Sequence, residues 1–589
     1  MPIRIPAPAA ASVEVRTARL ADRDRFGERW RYHALTRTPD GWWQADVSAL
    51  ALPDGPHEYE FVLDGDRAHP IPDPFATEVT RFGGYRGVLR IRDGAEDEGF
   101  DWGDELPEGV ELAPDERLVV LALPMRWVET EEDAHPRLGT FEEVAFDHLD
   151  RLAALGVSAL ELDEVQDSPA TAARRTGPRF LLAPDLDMGA PTDLRWLVKA
   201  CHRRGIRVLL AVDLARTEGN PLAVLAPDRY FGPDGRFQYE EKVDGQFWAR
   251  ELQFESARRW VEDYRIDGFR IRGFASLDNW EFVQQFRDVA RGAAHWRFPR
   301  RPFTVIAEDA LVRPVAATDA PTNPNHRRVV DAAWNPGYRD ELRRLLLDRI
   351  TPGWGEPPRR SRIADLVSCR GFDRLTRSVA FVTEPDGEPR LLDHVLDVLR
   401  ATRPTEDEDD LLREALERVR SAHALLLTSV TIPLLLAGEE FGDTEGVATP
   451  AGSGTPRAVH WYRASAPSHR ETAAAVGDLI RLRTAHPALH RDEVEVFHLH
   501  PAIDLPPHDG GARVFAYCRT SGRPLGSAGQ VVVVANTGPQ DFPQYGVPWV
   551  WHGWRERGAR PGAVPLVGVG NGWADIALAP FEVRVFETE

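Results

Sequence analysis

The feature that most constrains the fold is an alternation of short apolar runs with longer helical patterns, between about residue 115 and residue 436. Eight of these apolar runs have the length of a buried strand, and helical segments separate them. They are Leu118–Leu123, Val157–Leu162, Ile206–Val212, Ile266–Ile271, Phe303–Ala307, Val329–Ala333, Ser378–Val382 and Ile432–Leu436. Because strands that alternate with helices form parallel sheets, eight such units predict a (β/α)8 barrel.

Both ends of the chain have a different pattern, in which short strand-like runs follow one another without helices. His57–Leu63 leads into the hairpin signal Asp64-Gly65 near the N-terminus, and Val514–Cys518 and Val531–Ala535 are similar runs near the C-terminus. We therefore predict an N-terminal β-sandwich in residues 1–104, the barrel in residues 105–490 and a C-terminal antiparallel β domain in residues 491–589.

Composition excludes several classes of function. The net charge of −21, from 93 acidic and 72 basic residues, opposes binding to nucleic acid or to an anionic membrane. No apolar stretch approaches the roughly 18 residues of a membrane span, and the start, Met1–Pro6, lacks a secretory signal. Three cysteines lie far apart, without a Cys/His cluster. We expect a cytoplasmic protein with no disulfide framework, no metal and no cofactor.

Five motifs occur in the order in which one enzyme family carries them. They are Leu149–Val157, Leu197–Val208, Tyr264–Arg270, Val305–Asp309 and Ile432–Gly442. On these motifs the chain resembles glycoside hydrolase family 13, the α-amylase family. Its layout is closest to the maltooligosyltrehalose trehalohydrolases and to the glycogen branching and debranching enzymes.

The same resemblance extends to the N-terminal region. Asp73-Pro74-Phe75 is similar to the carbohydrate-binding module that precedes the barrel in those enzymes. Trp42 and Trp43 are the candidate residues there for stacking on sugar rings.

The resemblance implies a retaining mechanism at the C-terminal ends of the barrel strands. A carboxylate nucleophile and a carboxylic general acid would lie about 5–5.5 Å apart, with a third carboxylate beside them. Glu308 occupies the general-acid position, Asp386 the position of the third carboxylate, and Arg270 the position of the arginine that supports the nucleophile. The nucleophile position itself holds Arg272.

Other sugar-binding positions of the family are also replaced. Ala211 stands for an aspartate, Ala215 and Arg216 for an Asn-His pair, Pro385 for a histidine and Pro178 for a tyrosine. The loss at Ala215 removes an asparagine that helps some relatives to bind calcium, and we therefore predict no calcium.

The arginine at the nucleophile position has a direct chemical consequence. A guanidinium stays protonated and cannot attack an anomeric carbon. We predict that an ion-pair cluster of Glu308, Arg272 and Asp386 replaces the catalytic centre. A cation beside Glu308 would keep that carboxyl ionised and unable to donate a proton.

Three functions follow from this pattern. The first is an inactive glycosidase homologue that binds an α-glucan or maltooligosaccharide. The second is an active α-glucan hydrolase or transglycosidase that uses a displaced carboxylate. Asp213 is the better candidate for that role because it lies two residues beyond Ala211 and points to the same side of the strand, whereas Asp309 points away from the face that carries Glu308. The third is a scaffold that binds a protein partner.

Overall fold

The structure is a computed structural model, and it describes most of the chain. The described residues are 2–22, 29–81, 84–97, 99–125, 139–163, 165–168, 177–277, 279–308, 314–319, 327–347, 358–385, 389–444, 459–505, 510–560 and 562–589.

The N-terminal residues form nine short strands. They are β1 (Pro2–Pro6), β2 (Val13–Arg19), β3 (Arg31–Ala34), β4 (Thr36–Arg37), β5 (Trp42–Asp46), β6 (Gly55–Leu63), β7 (Val79–Thr80), β8 (Arg86–Arg92) and β9 (Ala95–Glu96). One antiparallel sheet has the order β1-β5-β4, and the other has the order β3-β2-β6-β8-β7 with β9 paired to β8. Alternate residues such as Val13, Val15 and Phe61 point into a shared apolar core between the sheets.

The middle of the chain contributes ten strands. They are β10 (Val120–Pro124), β11 (Ala159–Asp163), β12 (Gln166–Asp167), β13 (Phe180–Pro184), β14 (Arg207–Asp213), β15 (Gly268–Arg272), β16 (Thr304–Ala307), β17 (Ala332–Trp334), β18 (Ser378–Phe381) and β19 (Ile432–Leu436). Eight of them are parallel and close into a barrel in the order β10-β11-β14-β15-β16-β17-β18-β19, while β12 and β13 form a separate hairpin. The predicted (β/α)8 barrel is therefore confirmed.

One predicted strand begins in the wrong place. The apolar run from Val329 predicts a strand there, but β17 starts only at Ala332. The amide nitrogens of Val329 and Val330 instead donate hydrogen bonds to the carbonyl oxygen of Ala316, at 3.0 and 3.1 Å. A local apolar run indicates here that the residues are buried, but it does not show that they pair with a neighbouring barrel strand.

Thirteen described α-helices accompany these strands. They are α1 (Phe141–Glu143), α2 (Leu149–Leu155), α3 (Pro191–His202), α4 (Leu222–Leu225), α5 (Pro227–Tyr230), α6 (Trp248–Glu262), α7 (Phe274–Leu277), α8 (Trp280–Arg297), α9 (Pro336–Leu347), α10 (Arg359–Ser368), α11 (Leu391–Thr402), α12 (Glu408–Thr428) and α13 (Pro467–Ala485). None of the helices in the described part of the chain is long and apolar enough to cross a membrane.

The C-terminal residues form eight further strands in two antiparallel sheets. They are β20 (Val494–Leu499), β21 (Val514–Arg519), β22 (Val531–Asn536), β23 (Phe542–Pro548), β24 (Trp554–Arg557), β25 (Val567–Gly570), β26 (Trp573–Leu578) and β27 (Val583–Thr588). The sheets have the orders β20-β21-β22-β27-β24 and β23-β26-β25. Trp549, Trp551 and Ile576 belong to the apolar core that these strands enclose.

A buried histidine ties the segment before the barrel to the base of two barrel strands. The Nδ1 atom of His202 lies 2.6 Å from Glu105 Oε1, and its Nε2 atom lies 2.8 Å from Asp267 Oδ2. Arg301 also donates to Glu105 Oε1, at 2.8 Å. Burial alone would lower the pKa of His202, but the two carboxylates outweigh burial and raise it. Despite its own burial, Glu105 has its pKa lowered to about 2, chiefly by its hydrogen bond with His202 and by that residue's charge.

This network predicts a pH-dependent stability that His202→Gln should remove. Because the pKa of His202 is raised above its ordinary value of 6.5, its contribution is complete below that pH and is lost as the pH rises through the folded value. The Glu105 contribution is present above about pH 4.5 and is lost as the pH falls towards 2. The stability advantage of the parent over His202→Gln should therefore be larger at pH 6 than at pH 9, measured by urea unfolding. Parallel pH profiles would contradict this, and His552→Gln, at an exposed position, is the control.

Candidate functional site

A buried arginine organises the mouth of the barrel. Arg270, on β15, is fully buried, and its Nε atom donates to Glu161 Oε1 at 2.7 Å. Its two terminal nitrogens donate to Asp163 Oδ1, at 3.3 Å, and to Glu308 Oε2. Burial alone would lower the pKa of Arg270, but these three carboxylates outweigh burial and raise it. One permanently charged guanidinium therefore holds three carboxylates, two from β11 and one that directly follows β16.

A second arginine lies beside it. Arg272 is two residues further along β15 and so points to the same side as Arg270. Its Nη1 atom lies 3.5 Å from Asp163 Oδ1, and its side chain is 13% exposed. Asp163 thus lies between two guanidiniums, and one of them belongs to Arg272, which stands at the position where the resemblance implies a nucleophile.

The observed cluster has different members from the predicted one. Glu308 is bound by Arg270, and the carboxylate beside Arg272 is Asp163. Asp386, the third member of the predicted cluster, lies outside the described residues. The cluster is centred on Arg270 because β15 places that side chain between the ends of β11 and β16.

Sequence reasoning missed Glu161 and Asp163. Both lie at the end of β11, and Glu161 is completely buried. Burial raises the pKa of Glu161, and its Oε2 atom has no hydrogen-bond partner among the described residues. The available signal was two acids spaced by two residues in an otherwise apolar strand, which places both on one face.

Asp213 holds a turn at the end of β14. Its Oδ1 atom accepts the backbone N–H groups of Ala215, at 2.8 Å, and Arg216, at 3.0 Å. Burial raises its pKa, and the charge of Arg272 on the neighbouring strand partly opposes this. Ala211, two residues earlier, is buried and supplies no polar group. The geometry gives Asp213 a structural task at the barrel mouth.

The loops that carry Pro178 and Arg216, two positions predicted to be degenerate, are in contact although they are distant in sequence. The hydroxyl of Thr217 donates to the carbonyl oxygen of Pro178. A Cβ atom on Gly177 would lie 2.7 Å from the carbonyl oxygen of Arg216, so the two loops are in direct contact. Pro178 is buried and Arg216 is exposed, whereas Pro385, after β18, is buried.

Burial contradicts the prediction that Trp42 and Trp43 stack on sugar rings. Each is only 8% exposed. The indole nitrogen of Trp43 donates to the carbonyl oxygen of Ala7, at 3.1 Å, inside the core of the N-terminal sheets. Trp42 packs against Phe75 and against Trp248 of α6, with ring centroids 5.3 and 6.3 Å away. Neither ring presents an open face for a sugar, because the N-terminal core covers Trp43 and the contact with α6 covers Trp42.

A cleft of about 840 Å³ opens between the loops that follow β14 and β15. Ala215, Phe231, Phe237, Tyr239, Ser276 and Leu277 are among the residues that line it. The rings of Phe231 and Phe237 are stacked, with centroids 5.1 Å apart. Within the described residues, no three His, Cys, Asp or Glu side chains are grouped so that they could hold a metal ion.

Comparison with known proteins points to α-glucan enzymes. No family model matches the chain. It is 25% identical over 460 residues to the 1,4-alpha-glucan branching enzyme of Leifsonia xyli, covering 72% of this chain and 57% of that protein. It is 28% identical over 255 residues to the malto-oligosyltrehalose trehalohydrolase of Saccharolobus solfataricus, covering 42% of this chain and 41% of that one. The matched region therefore spans less than two thirds of either relative.

A solved structure extends the likeness to the whole chain. The pullulanase of Bacillus subtilis, crystallised with maltose, superposes with a TM-score of 0.70 at 18% identity. The superposition covers 100% of this chain and 84% of that one. The chain resembles glycoside hydrolase family 13. Its barrel and flanking β domains have the same fold as the pullulanase structures. Its arginine cluster lies at the end of the barrel where barrel enzymes have their active sites.

Proposed function

We propose that this chain binds an α-glucan at the barrel mouth without hydrolysing it. The observation that carries the proposal is Arg272, which occupies the position of the nucleophile and lies 3.5 Å from Asp163. A guanidinium has no lone pair available for attack on an anomeric carbon at any accessible pH.

The remaining carboxylates support the same conclusion. Glu308 and Glu161 both accept hydrogen bonds from Arg270, and Asp163 is shared by Arg270 and Arg272. A retaining glycosidase needs two carboxyl groups that are free to face the sugar from opposite sides. Here the described carboxylates of the cluster are paired with two guanidiniums. This arrangement favours a role in stabilising the fold rather than in transferring protons.

The cleft between the loops that follow β14 and β15 suits a short oligosaccharide. Its volume of about 840 Å³ lies within the roughly 300–1,000 Å³ range of small-molecule sites. Phe231, which is partly exposed and stacks on the buried Phe237, offers an apolar surface to a sugar face. The ligand class comes from the likeness to an enzyme of 1,4-α-glucan and to a pullulanase crystallised with maltose.

Asp213 supports a second candidate, an active hydrolase or transglycosidase. Burial raises its pKa, which is a property of general acids. One of its oxygens already accepts hydrogen bonds from the backbone N–H groups of Ala215 and Arg216. A scaffold that binds a protein partner is the third candidate, and it predicts no affinity for glucan.

Electrophoresis in gels that contain amylopectin separates these functions. We expect the parent protein to be retarded, and Phe231→Ala to bind roughly three- to tenfold more weakly because it loses one stacking ring. Phe146→Ala, at a position that is 76% exposed and outside the cleft, should behave as the parent. Absence of retardation would favour the scaffold.

A hydrolysis assay with maltoheptaose completes the test. We expect no reducing sugar or trehalose from the parent, and none from Arg272→Asp, because restoring one carboxylate leaves the alanines and prolines of the other subsite positions in place. Hydrolysis that Asp386→Ala or Asp213→Asn abolishes would contradict the proposal and favour an active enzyme.

A further inference from the structure

The C-terminal β domain carries an exposed tryptophan that the barrel does not use. Trp573, at the start of β26, is 51% exposed, and it lies on the outward-facing side of the sheet β23-β26-β25.

The indole of Trp573 lies on the outer face of this sheet, among residues that leave it uncovered. A Cβ atom on Gly546, on the neighbouring strand β23, would lie 3.6 Å from the six-membered ring, so the ring packs against bare backbone. Gly570 is paired with Trp573 on the other side, and Gly572 precedes it. Among the described residues, no aromatic ring or guanidinium is stacked on this indole. The glycines beside it carry no side chains that could overhang it.

Hydrogen-bonding groups lie on the same face of the sheet. Asp575 is two residues beyond Trp573 and therefore points to the same side. The amide of Gln544, on β23, donates to Asp575 Oδ2 at 2.6 Å. An exposed aromatic ring next to an amide and a carboxylate matches a sugar ring, which has apolar C–H faces and a rim of hydroxyl groups.

We propose that Trp573, Gln544 and Asp575 form a second glucan-binding site, a flat platform on the C-terminal domain. A pyranose ring would stack on the indole, and its hydroxyl groups would reach the Gln544–Asp575 pair. The choice of an α-glucan as ligand rests on the proposed function of the barrel mouth, whereas the platform itself rests on the geometry of this sheet.

The test compares matched tryptophan variants in amylopectin gels. Trp573→Ala should bind roughly three- to tenfold more weakly than the parent, and Trp573→Tyr should recover part of the loss because it keeps a stacking ring. Trp296→Ala is the control, since Trp296 is 88% exposed on α8, outside the C-terminal sheets, and should bind as the parent does.

The outcomes for the two sites are separable. Weaker binding by Trp573→Ala with unchanged binding by Phe231→Ala would support the platform and contradict the cleft. The reverse result would overturn the platform alone. Unchanged binding by Trp573→Ala together with a smaller sedimentation coefficient would also overturn it, in favour of contact with a second copy of the chain.

Discussion

Replacing Arg270 with methionine is expected to lower the free energy of unfolding by about 3–5 kcal/mol, because it leaves buried carboxylates without their cation. Glu161 is completely buried, and Asp163 and Glu308 share the same guanidinium. Urea unfolding of the parent and the variant at one pH measures the loss.

Two further variants test the cause of that loss. Arg90→Met removes an arginine that is 45% exposed and pairs with Glu78 at 2.7 Å, and it should cost no more than about 1 kcal/mol. Adding Glu161→Met to Arg270→Met removes one stranded buried charge and should recover part of the stability. Equal losses in Arg90→Met and Arg270→Met would contradict the assignment of Arg270 as the organising cation.

Replacing Gly268 with alanine is expected to cost about 3 kcal/mol or more. A Cβ atom at this position would lie 2.2 Å from the carbonyl oxygen of Thr304 and 2.8 Å from Leu209 Cδ2. The first of these atoms belongs to the backbone of β16, which pairs with β15, so relief of the clash must disturb the barrel.

A second glycine provides the matched control. Gly292 lies within α8, and a Cβ atom there would meet nothing within 4 Å. Gly292→Ala should therefore raise stability by about 0.5–1 kcal/mol, since alanine is the better helix former. Urea unfolding of both variants checks the pair, and similar effects of the two substitutions would show that the close approach at Gly268 is tolerated.

Burial and long-range contact explain where prediction from sequence failed. Trp42 and Trp43 have the residue type of a sugar platform, but the chain packs both rings away, whereas Trp573 remains exposed. The spacing of Glu161 and Asp163 along β11 was visible in the sequence, but their partner Arg270 is more than a hundred residues away. Which carboxylate an arginine binds depends on the order of strands around the barrel, and no local pattern contains that information.

The sequence by itself determined the barrel, and it placed an arginine where the resemblance implies a nucleophile. The alternation of apolar runs with helical patterns depends on neighbouring residues along the chain. Both this alternation and the arginine at position 272 are visible without coordinates. Only the tertiary structure decided that Arg270 binds Glu308 and that Asp163 lies beside Arg272. The physical reason is that closure of the barrel brings the ends of β11, β15 and β16 together, and charge pairing is set by distances of a few ångströms across strands rather than by position along the chain.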